Sequence, residues 1–196
     1  MYQFRVVLVG DLGSGKTSII KRLLSSKRVP YENTTVESPA TKIFDIDSTP
    51  VKLQLWDTPG EMDMLTVTRS DFRHSQAIVV TYDVNVPASL DNALNWVKEI
   101  DRFCSHPLPI KMLLGCKSDT ASSSSSSSSR ANEIASKLGM LTAECSANEG
   151  KNVDETFRKL AIKCMDRVRE HNKKKSVDTL KNKNSSSNEG MCCCVS

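Results

Sequence analysis

Val6-Val7-Leu8-Val9 is an unbroken aliphatic run that stops at Gly10, the pattern of a strand buried on both faces. Ala77-Ile78-Val79-Val80-Thr81-Tyr82 and Ile110-Lys111-Met112-Leu113-Leu114 repeat that pattern, and Met140-Leu141-Thr142-Ala143 is a weaker version. Ile43-Phe44-Asp45-Ile46 and Val51-Lys52-Leu53-Gln54-Leu55-Trp56 predict a hairpin across a turn at Asp47-Ser48-Thr49-Pro50. Elsewhere the apolar period becomes helical. It predicts helices from Lys16 to Leu24, from Arg130 to Leu138, and through Leu90, Ala93, Leu94, Val97 and Ile100. A closing helix from Val153 to Val168 would turn Phe157, Leu160, Ala161, Cys164 and Val168 inward. Strands alternating with helices imply an α/β domain over 1–170, its sheet mostly parallel and covered on both sides.

Two segments fall outside this scheme. Ser122 to Ser129 is a run of eight serines, which buries nothing and is expected to be a flexible loop. Residues 171–196 are polar and aperiodic, and disorder is expected from Lys173 on. That tail holds Lys173, Lys174, Lys175, Lys181 and Lys183 against Asp178 and Glu189, so most of the net charge of +4 sits there. A basic tail without aromatic or arginine-rich patterning points to an anionic membrane rather than nucleic acid. The seven cysteines form no disulfide framework, because four are scattered and three crowd the end of the chain. With no signal-peptide layout and no apolar stretch near ~20 residues, an intracellular, reducing setting is expected.

Gly10-Asp11-Leu12-Gly13-Ser14-Gly15-Lys16-Thr17 fits G-x-x-x-x-G-K-[ST] between a buried strand and a helix. Glycines let successive N–H groups turn inward around a phosphate, and the helix N-terminus adds positive potential. Lys16 can reach the β- and γ-phosphates, the Thr17 hydroxyl can ligate Mg²⁺, and Ser18 follows in the same turn. A second strand ends in Asp57-Thr58-Pro59-Gly60, where Asp57 can hold a water on the metal and the Gly60 N–H can meet the terminal phosphate. Gly115-Cys116-Lys117-Ser118-Asp119 offers a carboxylate to guanine N1 and N2, donors that adenine does not present together. Glu144-Cys145-Ser146-Ala147 could bring the Ala147 N–H to guanine O6.

From Phe4 to about Arg169 these motifs resemble the small GTPases of the Ras superfamily, and the Rab branch most. Lys52-Leu53-Gln54-Leu55-Trp56 is close to the Rab KLQIW stretch, Tyr82-Asp83-Val84-Asn85 to YDIT, and Ser70 to Ser75 stands where Rabs carry SYYRGA. Ser89 to Ile100 is similar to the Rab third helix. The resemblance implies a P-loop fold with a six-stranded sheet that binds GTP or GDP with Mg²⁺, hydrolyses GTP, and is monomeric. It implies that Thr35, with Thr34 as the near alternative, closes over Mg²⁺ and the γ-phosphate beside Thr17 and Asp57. Switch segments around Thr35 and from Gly60 to about His74 would order on GTP and be read by effectors. Exchange factors, activating proteins and a prenyl-binding escort are the further partners implied.

The chain also departs from that pattern. Glu61 stands where the family has the glutamine that orients the attacking water. An ionised glutamate only accepts hydrogen bonds, yet it can also polarise water as a base. Lys16, Thr35 and Glu61 are thus the candidate catalytic residues. Leu12 replaces glycine or serine in the cradle, where it would crowd water and an incoming arginine finger, typically worth about 10³–10⁵ in rate. Pro59 replaces alanine and fixes φ before Gly60. Arg28, with Tyr31 nearby, replaces the aromatic ring that stacks on guanine. Cys116 replaces the asparagine of N-K-x-D, and Thr35-Val36-Glu37-Ser38-Pro39-Ala40 replaces T-I-G-V-D-F. Slow, poorly stimulated hydrolysis and fast nucleotide release are expected.

Read as C-a-a-X, the ending Met191-Cys192-Cys193-Cys194-Val195-Ser196 would carry one prenyl group, on Cys193. It also resembles the Rab C-C-x-x ending, which implies geranylgeranyl groups on both Cys193 and Cys194. Together with the lysines, they would place the protein on the cytoplasmic face of a membrane, with vesicle traffic as the process implied. Two rivals are an effector-binding pseudo-GTPase without turnover and a P-loop kinase. Asp119 and the cysteine tail oppose the kinase.

Overall fold

The computed structural model describes residues 1–25, 39–58, 72–104, 109–120 and 126–185. Two compact units divide the chain, Met1–Cys164 and Met165–Ser196. The first holds a six-stranded sheet in the order β2-β3-β1-β4-β5-β6. Its strands are β1 (Tyr2–Val9), β2 (Ala40–Ile46), β3 (Thr49–Asp57), β4 (Ala77–Asp83), β5 (Ile110–Cys116) and β6 (Leu141–Glu144). Only β2 and β3 pair antiparallel, so the sheet is mostly parallel, as the alternation of patterns predicts. The helices are α1 (Lys16–Leu24), α2 (Pro87–Phe103), α3 (Ser126–Lys137) and α4 (Val153–Ser185).

The continuous aliphatic strands lie at the centre. Val6 to Val9 and Ala77 to Val80 are fully buried. On one face Val7, Val9, Ile78 and Val80 pack with Leu90, Ala93, Trp96, Val97 and Ile100 of α2 and with Ala131 and Ala135 of α3. Trp96 is among the largest fully buried side chains, although the periodic set read from the sequence omits it. Pro87 opens α2, where its missing N–H costs nothing.

Three expectations need correction. The hairpin turn has two residues rather than four: Asp47 and Ser48 both take positive φ, and Ile46 pairs with Thr49. With both central residues at positive φ, the turn's twist matches that of the strands, where an unprimed turn would splay them. The serine run is not wholly a loop, because Ser126 to Ser129 form the first turn of α3. Serine is a mediocre helix former but a good one at an N-terminus, and the buried Ala131 and Ala135 anchor the turn that follows. Finally, α4 continues to Ser185 rather than stopping near Val168. No glycine or proline interrupts the chain between Val153 and Gly190, so nothing local breaks the helix at Lys173.

Candidate functional site

The parallel strands β1, β3, β4 and β5 end on one edge of the sheet, and the candidate residues follow those ends. Gly10, Gly13 and Gly15 all take positive φ, so the loop after β1 curls in a way that side chains would oppose. A Cβ on Gly10 would fall 2.4 Å from both the backbone oxygen and Oγ1 of Thr81. Gly13 has nothing within 4 Å of its would-be Cβ, so the loop opens outward there. Ser14 points inward and shares a 2.7 Å hydrogen bond with Thr81 Oγ1, which donates to the Val9 carbonyl. Leu12 sits at the lip, 76% exposed.

Gly15 precedes α1, and no side chain caps that helix start. Its first N–H groups therefore have no side-chain acceptor, which suits an anion. Lys16 is buried, and its ammonium donates to the carbonyls of Gly10 and Asp11, each at 2.7 Å. Thr17, from the same turn, donates to Asp57 Oδ2 at 2.5 Å. Ser18 follows half-buried. Thr58 Oγ1 donates to the Leu8 carbonyl at 2.7 Å, which ties the end of β3 back to β1.

Burial pushes the Lys16 ammonium below its ordinary value, an effect only partly offset by Asp57 and Asp11. Burial also pushes the Asp57 carboxyl up, against the Thr17 hydrogen bond and the Lys16 charge. In both groups burial outweighs what these neighbours give back to the charged form, which leaves room for further compensation. A polyphosphate beside Lys16 and a divalent cation beside Asp57 would supply it. Hydroxyl and carboxylate oxygens are the hard donors that Mg²⁺ takes, so Thr17 and Asp57 fit that ion.

Two contacts to the loop were not visible in the sequence. Asp11 accepts from Asn92 Nδ2 at 2.7 Å and from Trp96 Nε1 at 3.3 Å, so α2 clasps the cradle from the side. Asn92 and Trp96 are one helical turn apart, which aims both at the same spot.

The base-reading candidates lie on the turns after β5 and β6. Cys145 N–H donates to the Gly115 carbonyl at 2.8 Å, and Ser118 N–H to the Cys145 carbonyl at 3.3 Å, so the turns are stitched together. Asp119 accepts from Ser146 Oγ at 2.6 Å and from Asn148 Nδ2 at 3.1 Å. Asn148, the residue after Ala147, is a second partner that sequence reasoning missed. Cys116 is buried against the cradle: a Cβ on Gly15 would lie 3.0 Å from its Cβ and 3.3 Å from its Sγ. Among the described residues the thiol reaches only the Leu114 carbonyl of its own strand, at 3.8 Å, and burial keeps it protonated. Lys117 pairs with Asp83 at 2.7 Å.

The structure thus brings Lys16, Thr17 and Asp57 together at the cradle, and Lys117, Asp119, Ser146 and Ala147 at the neighbouring turns. Arg28, Tyr31, Thr34, Thr35, Pro59, Gly60, Glu61, Cys193 and Cys194 lie outside the described residues.

A model of the Ras family matches residues 5–166. Ras-related protein Rab-30 of Homo sapiens is 31% identical over 171 residues, 87% of this chain and 84% of that protein. The same figures hold for Rab-30 of Bos taurus and of Mus musculus.

Proposed function

The chain belongs to the Ras family as a Rab-like small GTPase, and we propose that it is a membrane-anchored guanine-nucleotide switch of unusual kinetics, acting in vesicle traffic. One observation carries the site assignment. A buried ammonium stands beside a hydroxyl–carboxylate pair at the mouth of a glycine loop, with the Asp119 carboxylate on the adjacent turn.

Lys16 and the first N–H groups of α1 bind the phosphates, and Asp119 with the Ala147 N–H reads guanine. Thr17, Thr35 and Asp57 hold Mg²⁺, which would neutralise charge on the phosphate oxygens. Leu12, exposed at the cradle lip, crowds an incoming arginine finger on this reading. Glu61 in place of glutamine cannot donate to the developing charge, so hydrolysis is slow and responds weakly to activating proteins. Cys116 packs on Gly15 without tying it by a strong hydrogen bond. A missing bond or two at about 1 kcal/mol each speeds nucleotide release roughly tenfold or more. Arg28 stacks on the base. The two features together favour a GTP-loaded protein wherever GTP exceeds GDP.

Membrane attachment comes from lipid on Cys193 and Cys194 and from the basic tail. Among the described residues no helix is long and apolar enough to cross a membrane. Effectors, exchange factors, activating proteins and a prenyl-binding escort are the partners of this reading.

The test is nucleotide binding and single-turnover hydrolysis on the purified full chain. GDP is expected to bind in preference to ADP, with release in minutes in Mg²⁺. Glu61→Gln combined with Leu12→Ser is expected to accelerate hydrolysis. Equal affinity for GDP and ADP would overturn the switch reading. A release half-life of hours, or no gain in the double variant, would overturn the kinetic part.

A further inference from the structure

Lys117 holds φ at 63°, the left-handed region that a side chain disfavours. Such a residue persists where its surroundings fix it. Three donors converge on its carbonyl: Asn85 Nδ2 at 3.3 Å, Thr120 Oγ1 at 3.0 Å and Thr120 N–H at 3.2 Å. Its ammonium is held by Asp83 Oδ2 at 2.7 Å.

Asn85 joins these pieces. Its amide nitrogen lies 2.8 Å from Thr120 Oγ1 and 3.1 Å from Asp83 Oδ1, and its backbone N–H donates to the same Asp83 oxygen at 3.0 Å. With two hydrogens for three acceptors, the amide shares one of them. The reverse orientation of the amide would set an oxygen against a carbonyl and a carboxylate, so the neighbours dictate which atom faces them. Asn85, two residues past the end of β4, therefore grips the turn just after β5. Among the described residues Cys116, at the root of that turn, makes no comparable tie on the inner side.

On the guanine-nucleotide reading above, we propose that Asn85 is a positioning residue for base recognition. It fixes the turn from Lys117 to Thr120, which carries Asp119, from the outer side, in place of the tie that Cys116 does not make from the inner side. Asn85 acts through Lys117 and Thr120 and need not touch the base.

The distinguishing experiment is a double-mutant cycle on the full chain, reading release of fluorescent GDP in Mg²⁺. Asn85→Ala is expected to speed release about tenfold in the native background and by no more than about twofold alongside Cys116→Asn. Asn85→Asp, of nearly the same shape but with an oxygen facing those acceptors, is expected to release at least as fast as Asn85→Ala. Equal acceleration in both backgrounds, or none in the native one, would overturn the proposal. Hydrogen exchange at residues 117–120 of the nucleotide-free chain provides a readout independent of binding. Asn85→Ala is expected to raise exchange there and leave β1 unchanged. If the native chain binds no guanine nucleotide, the switch reading fails by itself, and unchanged exchange at 117–120 would then sink the Asn85 tie separately.

Discussion

Asp83 shows how one residue's charge serves the turn that carries Asp119. Burial by itself would raise its carboxyl, but the Lys117 hydrogen bond, two bonds from Asn85 and the Lys117 charge bring it below the ordinary 3.8. A depressed carboxylate contributes stability that is fully present above its unfolded value and lost as pH falls through the folded one. The Asp83–Lys117 pair is therefore intact from pH 8 down to pH 5 and fails only in stronger acid. The Lys117 side chain is nearly half exposed, so solvent screening keeps the pair's worth within the usual surface range. Asp83→Asn is expected to speed GDP release about threefold, by the same factor at pH 5, 6.5 and 8. A factor that shrank toward one at pH 5 would mean the carboxyl titrates within the physiological range and that Lys117 does not hold it down.

The loop between β1 and α1 is the candidate phosphate cradle, and its glycines are not equivalent. Gly10 combines φ of 139° with a would-be Cβ 2.4 Å from a backbone oxygen, which cannot move without shifting β4. Gly13 has φ of 75° and open space, so a side chain there meets only backbone strain. Gly13→Ala is expected to cost about 1–2 kcal/mol, and Gly10→Ala at least about 3 kcal/mol through overpacking and strain together. Denaturant unfolding of the two variants checks the order, and equal losses would mean the β1–β4 edge is softer than the packing implies. The curl of this loop was legible in the sequence because the glycine spacing is local and the aliphatic run before it marks the strand. The six strands were legible for the same reason. What the chain pattern did not encode is pairing between remote elements. Asn92 and Trp96 read as ordinary positions of an amphipathic helix, and nothing in their spacing names Asp11 as the shared acceptor. The reach of α3 into the serine run was hidden because helix starts depend on caps and on burial one turn later, not on the first residues' own polarity. The length of α4 was hidden because a polar, lysine-rich stretch reads equally as tail or as exposed helix.

At the scale of the whole molecule, charge and core are separated along the chain. The sheet and the candidate nucleotide residues all belong to the unit Met1–Cys164, while Lys173, Lys174, Lys175, Lys181 and Lys183 belong to Met165–Ser196. Nucleotide binding and membrane attraction should therefore come apart when the chain is cut between them. A chain ending at Arg169 keeps every buried side chain from Phe4 to Cys164 and every polar contact at the candidate site. It is expected to melt within about 3 °C of the full protein and to bind GDP equally well. The unlipidated full chain should sediment with vesicles rich in phosphatidylserine, each lysine near the surface adding about 1 kcal/mol, whereas the shortened chain should not. The attraction is electrostatic and should vanish when salt is raised from 0.1 M to 0.5 M, as the screening length falls well below 10 Å. Attachment that survives that salt in material from cells, yet is lost in Cys193→Ser/Cys194→Ser, would assign the stable part of the anchor to lipid. Salt-resistant sedimentation of the cysteine-free chain would instead place an apolar membrane contact within the protein itself, and the basic tail would no longer be its tether.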